Sequence, residues 1–413
     1  MFNILKNYNE KLVFVGAGNY ANYCQQQLKD NYVDIWNKIA YFMDDNYLNI
    51  KYMSKDVCPI VKDSDENTVY VILSIYLDAC KILMTKLLSL GIPIRNIIIL
   101  NKDALPILNN IINLTNEKFY ICELGAAGNT IPINTIVDNV DKSRYTIFGF
   151  DPDENECKRK ESSSYRAYPS MVDEKTGNKR KVYQIKQNGH LTFYPPNLDN
   201  MKSYKFFGDK HIDFALYDEF FYENTISLDD WKKKLNVKEI DYMYINVDSA
   251  EFHVLKGARQ LLKKVSLVEV EVYFNHHFIS QPLYGEVDTI LRNEGFQVLD
   301  FYGAHRLKPK NSPFNFNDGL LLHMNAIYYK PLENIASLLD YNRVLRQIGI
   351  LEIKGFNNLA FSILYATYKN ISKNNKELKD IFFSILKNTY EIYSLKFNYE
   401  TTFNDFMKKD KCG

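Results

Sequence analysis

The segment from Lys118 to Asp153, KFYICELGAAGNT through FGFDPD, constrains this chain more than any other stretch. Phe119 to Leu124 is a short apolar run broken by one carboxylate, Glu123, and it leads straight into Gly125, Ala126, Ala127 and Gly128. An apolar run that stops at paired glycines reads as a buried strand entering a tight turn. Glycine lets the main chain turn sharply and lets a ligand approach its N–H groups. A helix can start at Asn129 or Thr130, both good N-caps. Tyr145 to Phe150 is then a second buried strand, and Asp151 stands at its tip, where a carboxylate can accept hydrogen bonds from both hydroxyls of a ribose.

Turns of this kind serve NAD and S-adenosylmethionine alike. Glu123 tilts the choice, because a carboxylate just before the glycines repels a pyrophosphate and attracts sulfonium and α-amino cations. A solvated acid at a strand end is the plain alternative.

A chain of 413 residues suits two or three domains. With 46% apolar and 24% charged residues it has the balance of an ordinary globular protein, and a net charge of +1 argues against a general nucleic-acid binder. The basic runs Lys158 to Lys160 and Asn178 to Lys181 sit beside acids and read as solvated loops. Cys24, Cys58, Cys80, Cys122, Cys157 and Cys412 form no C-x-x-C pair and no metal-ligand spacing. Reduced thiols in a cytoplasmic protein, and no metal site, are the expectation. The N-terminus has no signal-peptide core, and no apolar run approaches the roughly 18 residues of a membrane span.

Residues 1–112 read as a first domain. Lys11 to Val15 is a strand-like run opening into Gly16-Ala17-Gly18-Asn19, Ile39 to Met43 ends in Asp44 and Asp45, and Thr68 to Ser74 and Asn96 to Leu100 are further strands separated by helical patterns. Strands alternating with helices indicate a small parallel sheet. The turn at Gly16 could take a phosphate at a helix N-terminus with Asp44 or Asp45 on a ribose. This piece resembles the small Rossmann-like domains, F-G-A-G followed by F-I-D-N-D, that accompany sugar-modifying enzymes of surface-glycan synthesis. The resemblance favours a scaffold or docking role.

Residues 113–332 hold the remaining chemistry. Glu154 to Lys181 is polar, with a hairpin turn expected at Thr176 to Lys179, and HLTFYPPN from His190 to Asn197 is a candidate substrate lid or a packed surface loop. Tyr242 to Val247 is a buried strand that brings Asn246, Asp248 and Glu251 to its carboxyl end, the edge where open α/β sheets bind ligands. Glu251 lies in the first turn of a helical pattern, where the macrodipole favours it. On the next strand Glu269 and Glu271 share a face, and dry acids there would be costly, so they line a cleft or meet a cation. His276 and His277 follow; an imidazole could take a proton from a hydroxyl, and His with carboxylates could hold a divalent metal, although a surface pair explains them as well.

Four ordered motifs carry a resemblance: T-I-S-L-D-D-W, I-N-V-D-S-A-E-F-H-V-L-K-G-A, V-E-V-E-V-Y-F, and Q-P-L-Y-G-E-V-D-T-I-L-R-N-E-G-F. Together they resemble the FkbM family of S-adenosylmethionine-dependent methyltransferases, whose core reads K-I-D-V-E-G-A-E-x-x-V-L-K-G-A. The resemblance implies an α/β, class I, seven-stranded Rossmann-like methyltransferase domain, with cofactor contacts at Glu123, Gly125 and Asp151. Ala126, Gly128, Asn129 and Asn246 complete the candidate cofactor-binding set. Asn246 stands where the family has Asp, Asp248 where it has Glu, and Ser249 where it has Gly. Asn cannot act as a base, so Asp248, Glu251, His276 and His277 join Asn246 as the catalytic candidates.

Residues 333–413 show helical spacing with aromatic stripes and read as a C-terminal helical region that packs on the enzyme core or on a second subunit. The expected function is methylation of a hydroxyl on a sugar or glycan-like small-molecule acceptor, in surface-glycan or secondary-metabolite synthesis. A non-catalytic nucleotide-sugar or glycan-binding protein on the same fold, and an N-methyltransferase, are the alternatives.

Overall fold

The computed structural model describes residues 5, 10–17, 21, 24–25, 28–29, 32–50, 53–73, 77–93, 96–100, 105–128, 130–137, 140–186, 189–205, 216–311, 319–331, 340–372, 375–396 and 403–409. Contacts group the chain into two compact units, Met1–Asn116 with Leu351–Gly413, and Glu117–Ile350. The sequence reading drew three regions, and the grouping differs from it in placing 351–413 with the N-terminal residues.

The first unit contains β1 (Leu12–Val15), β2 (Ile39–Met43), β3 (Val57–Cys58), β4 (Val69–Leu73) and β5 (Ile97–Leu100), all parallel in the order β3-β2-β1-β4-β5. Alternate residues of β1 feed two cores: Leu12 and Phe14 pack into one, Val13 and Val15 into the other. Both faces are covered, which is why the strand is apolar without a break. At its end Gly16 N–H donates to Met43 O (2.7 Å) and Ala17 N–H to Asp44 Oδ2 (2.8 Å). Gly18 and Asn19 lie outside the described residues.

The second unit is built on β6 (Phe119–Leu124), β7 (Tyr145–Phe150), β8 (Tyr165–Tyr168), β15 (Ile240–Ile245), β16 (Val265–Tyr273), β17 (Gln297–Pro309) and β18 (Leu320–Tyr329), with the two-residue β12 (Tyr204–Lys205) at one edge. Their order is β12-β17-β18-β16-β15-β6-β7-β8, and β18 runs antiparallel to both neighbours. Counting the seven long strands in chain order gives 3-2-1-4-5-7-6, the class I methyltransferase arrangement that the motifs imply. Four parallel crossovers from β6 to β16 put every strand end that matters on one edge.

Between β8 and β15 the chain forms β9 (Met171–Val172), β10 (Arg180–Ile185), β11 (Leu191–Thr192), β13 (Tyr217–Tyr222) and β14 (Thr225–Ile226). β10 pairs antiparallel with β11 and β13, while β9 pairs parallel with β14. The Thr176–Lys179 turn therefore joins two strands that are not partners, and the hairpin expected there lies one step later, between β10 and β11. Trp231, 1% exposed, fills the main core with ring contacts to Phe148, Phe150 and Tyr168 at 5.1, 5.1 and 5.7 Å. Arg346 is buried against Asp241 (2.9 Å), Glu117 (2.6 Å) and Glu239 (2.5 Å), and burial lifts the Asp241 carboxyl to about 6. Among the described residues, no helix is long and apolar enough to cross a membrane.

Candidate active site

β6 ends in a turn that the neighbouring strands hold in place through main-chain bonds. Gly125 and Ala126 N–H both donate to Phe150 O at the end of β7 (3.1 and 3.2 Å). Gly125 has φ +78°, and a Cβ there would overlap the carbonyl oxygen of Asn246, so glycine is needed both for the turn and for the close approach. Asn246 in turn donates its N–H to Leu124 O (3.1 Å), which fixes the end of β15 beside the turn.

Asp151 closes the arrangement. Its Oδ2 accepts the Ala127 N–H (2.9 Å) and its Oδ1 the Asp153 N–H (2.9 Å), while Glu156 accepts from Gly128 (3.2 Å). Burial pushes the Asp151 carboxyl up, and those two N–H bonds oppose the shift. A carboxylate has about four acceptor positions, so Asp151 keeps capacity for further donors. Beside it Gly128 faces open space, with nothing within 4 Å of where a Cβ would stand. Asn129 lies outside the described residues.

Glu123 takes a different place from the one its sequence position suggests. It is 1% exposed, accepts a hydrogen bond from Tyr165 Oη, and pairs with Lys160 Nζ at 3.3 Å. The protein itself supplies a cation and a hydroxyl to this carboxylate.

The carboxyl ends of β15 and β16 gather the second group. Asp248 and Ser249 follow β15 with φ of +47° and +86°, two successive left-handed residues without glycine. Such strain persists only where surrounding structure imposes it. Asp248 Oδ2 lies 3.0 Å from His190 Nδ1, and that bond raises the His190 pKa. Glu251 is buried, accepts the Val247 N–H (3.1 Å), and is held up at about 8, by burial first and by Glu271 second. Glu271 accepts from Tyr273 Oη (3.0 Å) and pairs with His323 Nδ1 (2.9 Å), whose ring stacks on His305 at 4.3 Å. Glu269 accepts from Tyr242 Oη (2.8 Å) and from Tyr302 Oη. The two acids on one face of β16 are thus met by hydroxyls and an imidazole.

His276 and His277 part company. His276 is exposed, and its carbonyl accepts from Asn200 Nδ2 (2.8 Å); His277 is 6% exposed, packs on Phe278 at 4.4 Å, and burial drives its pKa down to about 3. Asn246 Nδ2 points at Tyr244 Oη (3.3 Å). The structure therefore brings Asp248 and Glu251 together at one edge with Asn246 beside the glycine turn. The residues that sequence reasoning did not single out are His190 as the partner of Asp248, and Tyr273 and His323 as partners of Glu271. Chain separation hid the two histidines, whereas Tyr273 stands two residues from Glu271 on the same strand. The HLTFYPPN loop is packed: Asn197 N–H donates to His277 O (2.9 Å) and Ile279 N–H to Pro195 O (2.8 Å). Among the described residues no three His, Cys, Asp or Glu side chains could hold a metal ion together.

Strand order, glycine turn and acidic strand tip define a class I, Rossmann-like methyltransferase domain. Residues 125–298 match the family model of the methyltransferase FkbM domain, and the chain carries that domain there. That match supports an S-adenosylmethionine-dependent methyltransferase in general terms. No curated protein matches the chain. Two solved structures align over 69% of it: a Streptococcus pneumoniae protein described as a candidate tRNA (m1A22) methyltransferase, at 7% identity, TM-score 0.26 and 97% of its own length, and a Streptococcus agalactiae protein of the NADB-Rossmann superfamily, at 8% identity, TM-score 0.26 and 95% of its length. Superpositions that loose carry no argument, and the fold rests on the strand order. The residues present fit the donor: a glycine turn with open space at Gly128, and an acid with spare acceptor capacity at the next strand tip.

Proposed function

We propose that this protein transfers a methyl group from S-adenosylmethionine to a hydroxyl of a sugar or glycan-like acceptor. The observation that carries the reading is the FkbM domain laid over a turn whose Ala127 N–H is tied to the Asp151 carboxylate. The turn from Gly125 to Gly128 and Asp151 hold the donor, and Asn246 flanks it. When bound, the donor supplies an electrophilic methyl group whose bond to sulfur leaves its electron pair on sulfur.

Asp248, Glu271 and Asp151 with Tyr273 and His190 offer mainly acceptors and hydroxyls, groups that hydrogen-bond a neutral polyol and repel a phosphorylated one. Positioning supplies most of the acceleration in such an in-line displacement, so an amide at Asn246 is compatible with turnover. The free thiols Cys58, Cys122 and Cys157 suit a reducing cytoplasm. A non-catalytic binding role is favoured by Asn246 and Ser249 standing where the family has Asp and Gly; formation of S-adenosylhomocysteine with sugar acceptors separates the two. Calorimetry tests the donor site: the intact chain binds S-adenosylmethionine and Asp151→Ala loses at least tenfold in affinity. Equal affinity in the variant would remove Asp151 from the site.

A further inference from the structure

We infer that the inserted strands β10, β11 and β13 form an outer wall of the donor crevice, with the Tyr222 ring lying against the base of the bound adenosyl group. The inference deepens the methyltransferase reading and rests on it.

The course of the donor follows from the sheet. With its sulfonium end at the glycine turn after β6 and its ribose at Asp151 after β7, its base extends onward to the tip of β8, the next strand in the order. A chain of hydrogen bonds fastens the insertion to that tip. Asp151 N–H donates to Tyr168 O, the last carbonyl of β8 (3.3 Å). One residue on, Pro169 O accepts from Asn224 Nδ2 (2.6 Å), and Asn224 O accepts the Met171 N–H (3.2 Å). Asn224 stands two residues beyond Tyr222, the last residue of β13, so the end of β13 is tied beside the acid that holds the ribose.

The apolar neighbours agree with the hydrogen bonds. Tyr222 and Val247 both pack on the buried cluster of Met171, Val182, Phe193 and Ala250. Val247 borders the glycine turn, its Cγ1 standing 3.6 Å from where a Cβ on Gly125 would be. One cluster thus reaches from the turn to Tyr222. Register sets Tyr222 opposite Arg180, and its side chain stays half-buried at the end of the strand. Burial raises the pKa of the Tyr222 phenol, and the Asp151 carboxylate adds to the rise, ahead of Cys157 and Glu154 from the helix Glu154–Lys160. Room for a base lies by that same helix: Gly128 donates its N–H to Glu156 (3.2 Å), and nothing lies within 4 Å of where its Cβ would stand. A tyrosine ring suits the place, because it offers a flat apolar face for a purine to stack on while its hydroxyl end remains in a polar setting.

The test uses the full chain with S-adenosylhomocysteine as the probe. Calorimetry should show Tyr222→Ala losing about 5- to 100-fold in affinity, the range of one base–aromatic stack, and Tyr222→Phe, which keeps the ring, binding nearly as tightly as wild type. Hydrogen exchange on the wild-type chain needs no variant: the probe should raise protection in Tyr217–Tyr222 as well as in the turn from Gly125 to Gly128. Full affinity in Tyr222→Ala overturns the contact, and so does protection confined to the turn. A loss in Tyr222→Phe as large as in Tyr222→Ala overturns the stacking role of the ring. A wild-type chain that binds no probe overturns the donor site and this wall together. Binding that Asp151→Ala weakens and Tyr222→Ala leaves untouched removes the wall alone and keeps the methyltransferase reading.

Discussion

Glu251 shows how burial can reverse what local sequence suggests. A glutamate in the first turn of a helix reads as a stabilising anion, yet this one is 3% exposed, close to Glu271 and Asp248, and its carboxyl sits at about 8, above the ordinary 4.5. At neutral pH it keeps its proton. Between those two values the folded state binds more protons than the unfolded chain, so this group makes stability fall as pH rises across that window. Glu251→Gln keeps the acceptor for Val247 N–H and removes the ionisation. Urea unfolding at about pH 5 and about pH 8 should show the variant gaining on wild type with rising pH, by on the order of a few kcal/mol. A difference independent of pH would mean Glu251 is ionised in the fold. At this scale single residues were legible and pairs were not. Glu123 stood out as a carboxylate just ahead of the glycine turn, and Asp151 as an acid at the tip of the next strand. That Lys160 and Tyr165 meet one and Ala127 N–H the other follows from the tertiary fold, whereas the Asp153 N–H bond to Asp151 is local, two residues along the chain.

The motifs that carry the family resemblance resolve, at the scale of elements, into packing devices. In T-I-S-L-D-D-W, Ser227 caps the helix Leu228–Leu235 by accepting Asp230 N–H (3.2 Å), and Asp229 caps the helix Arg259–Leu262 through Gln260 and Leu261 N–H (2.9 and 2.8 Å). Trp231 enters the core one residue after Asp230. In V-L-K-G-A, Gly257 ends the helix Glu251–Lys256 against the main chain of Asp173, and a Cβ there would overlap the Asp173 carbonyl oxygen. Gly257→Ala should therefore cost about 1–3 kcal/mol from overpacking, which exceeds the up to about 1 kcal/mol that alanine gains in a helix. Urea midpoints decide it, and a stabilised variant would mean that the Asp173 segment yields freely. The parallel strands β6, β7 and β15 were readable because sheet faces covered on both sides leave apolar runs. The inserted strands were not, because a turn sequence such as Thr176 to Lys179 specifies a reversal without specifying which strand pairs across it.

For the whole molecule, the first unit draws on both ends of the chain, and its dependence on the second end is concentrated at Glu352. This carboxylate, 1% exposed, accepts Ile107 N–H (3.0 Å), Leu108 N–H (2.8 Å) and Tyr393 Oη (2.5 Å). It caps the start of the helix Pro106–Leu114, whose Leu105 N-cap has no side chain to do so. Aromatic spacing alone predicted helices here, without saying that one acid would tie residues far apart in the chain. Removing it leaves two main-chain donors buried, each worth about 1–3 kcal/mol if unsatisfied, with water entry recovering part, while Tyr393 Oη keeps Asn357 Oδ1 at 3.1 Å as an acceptor. Glu352→Ala should then destabilise the first unit by about 2–5 kcal/mol, while Glu352→Gln, which keeps one acceptor oxygen, costs less. Hydrogen exchange read by mass spectrometry separates the units: protection should drop in β1, β4 and the helix Lys376–Lys396, and persist in β6, β7, β15 and β16. Uniform loss across both sets would show that they unfold as one cooperative body, and protection unchanged in the first set would show that water replaces the carboxylate at no cost.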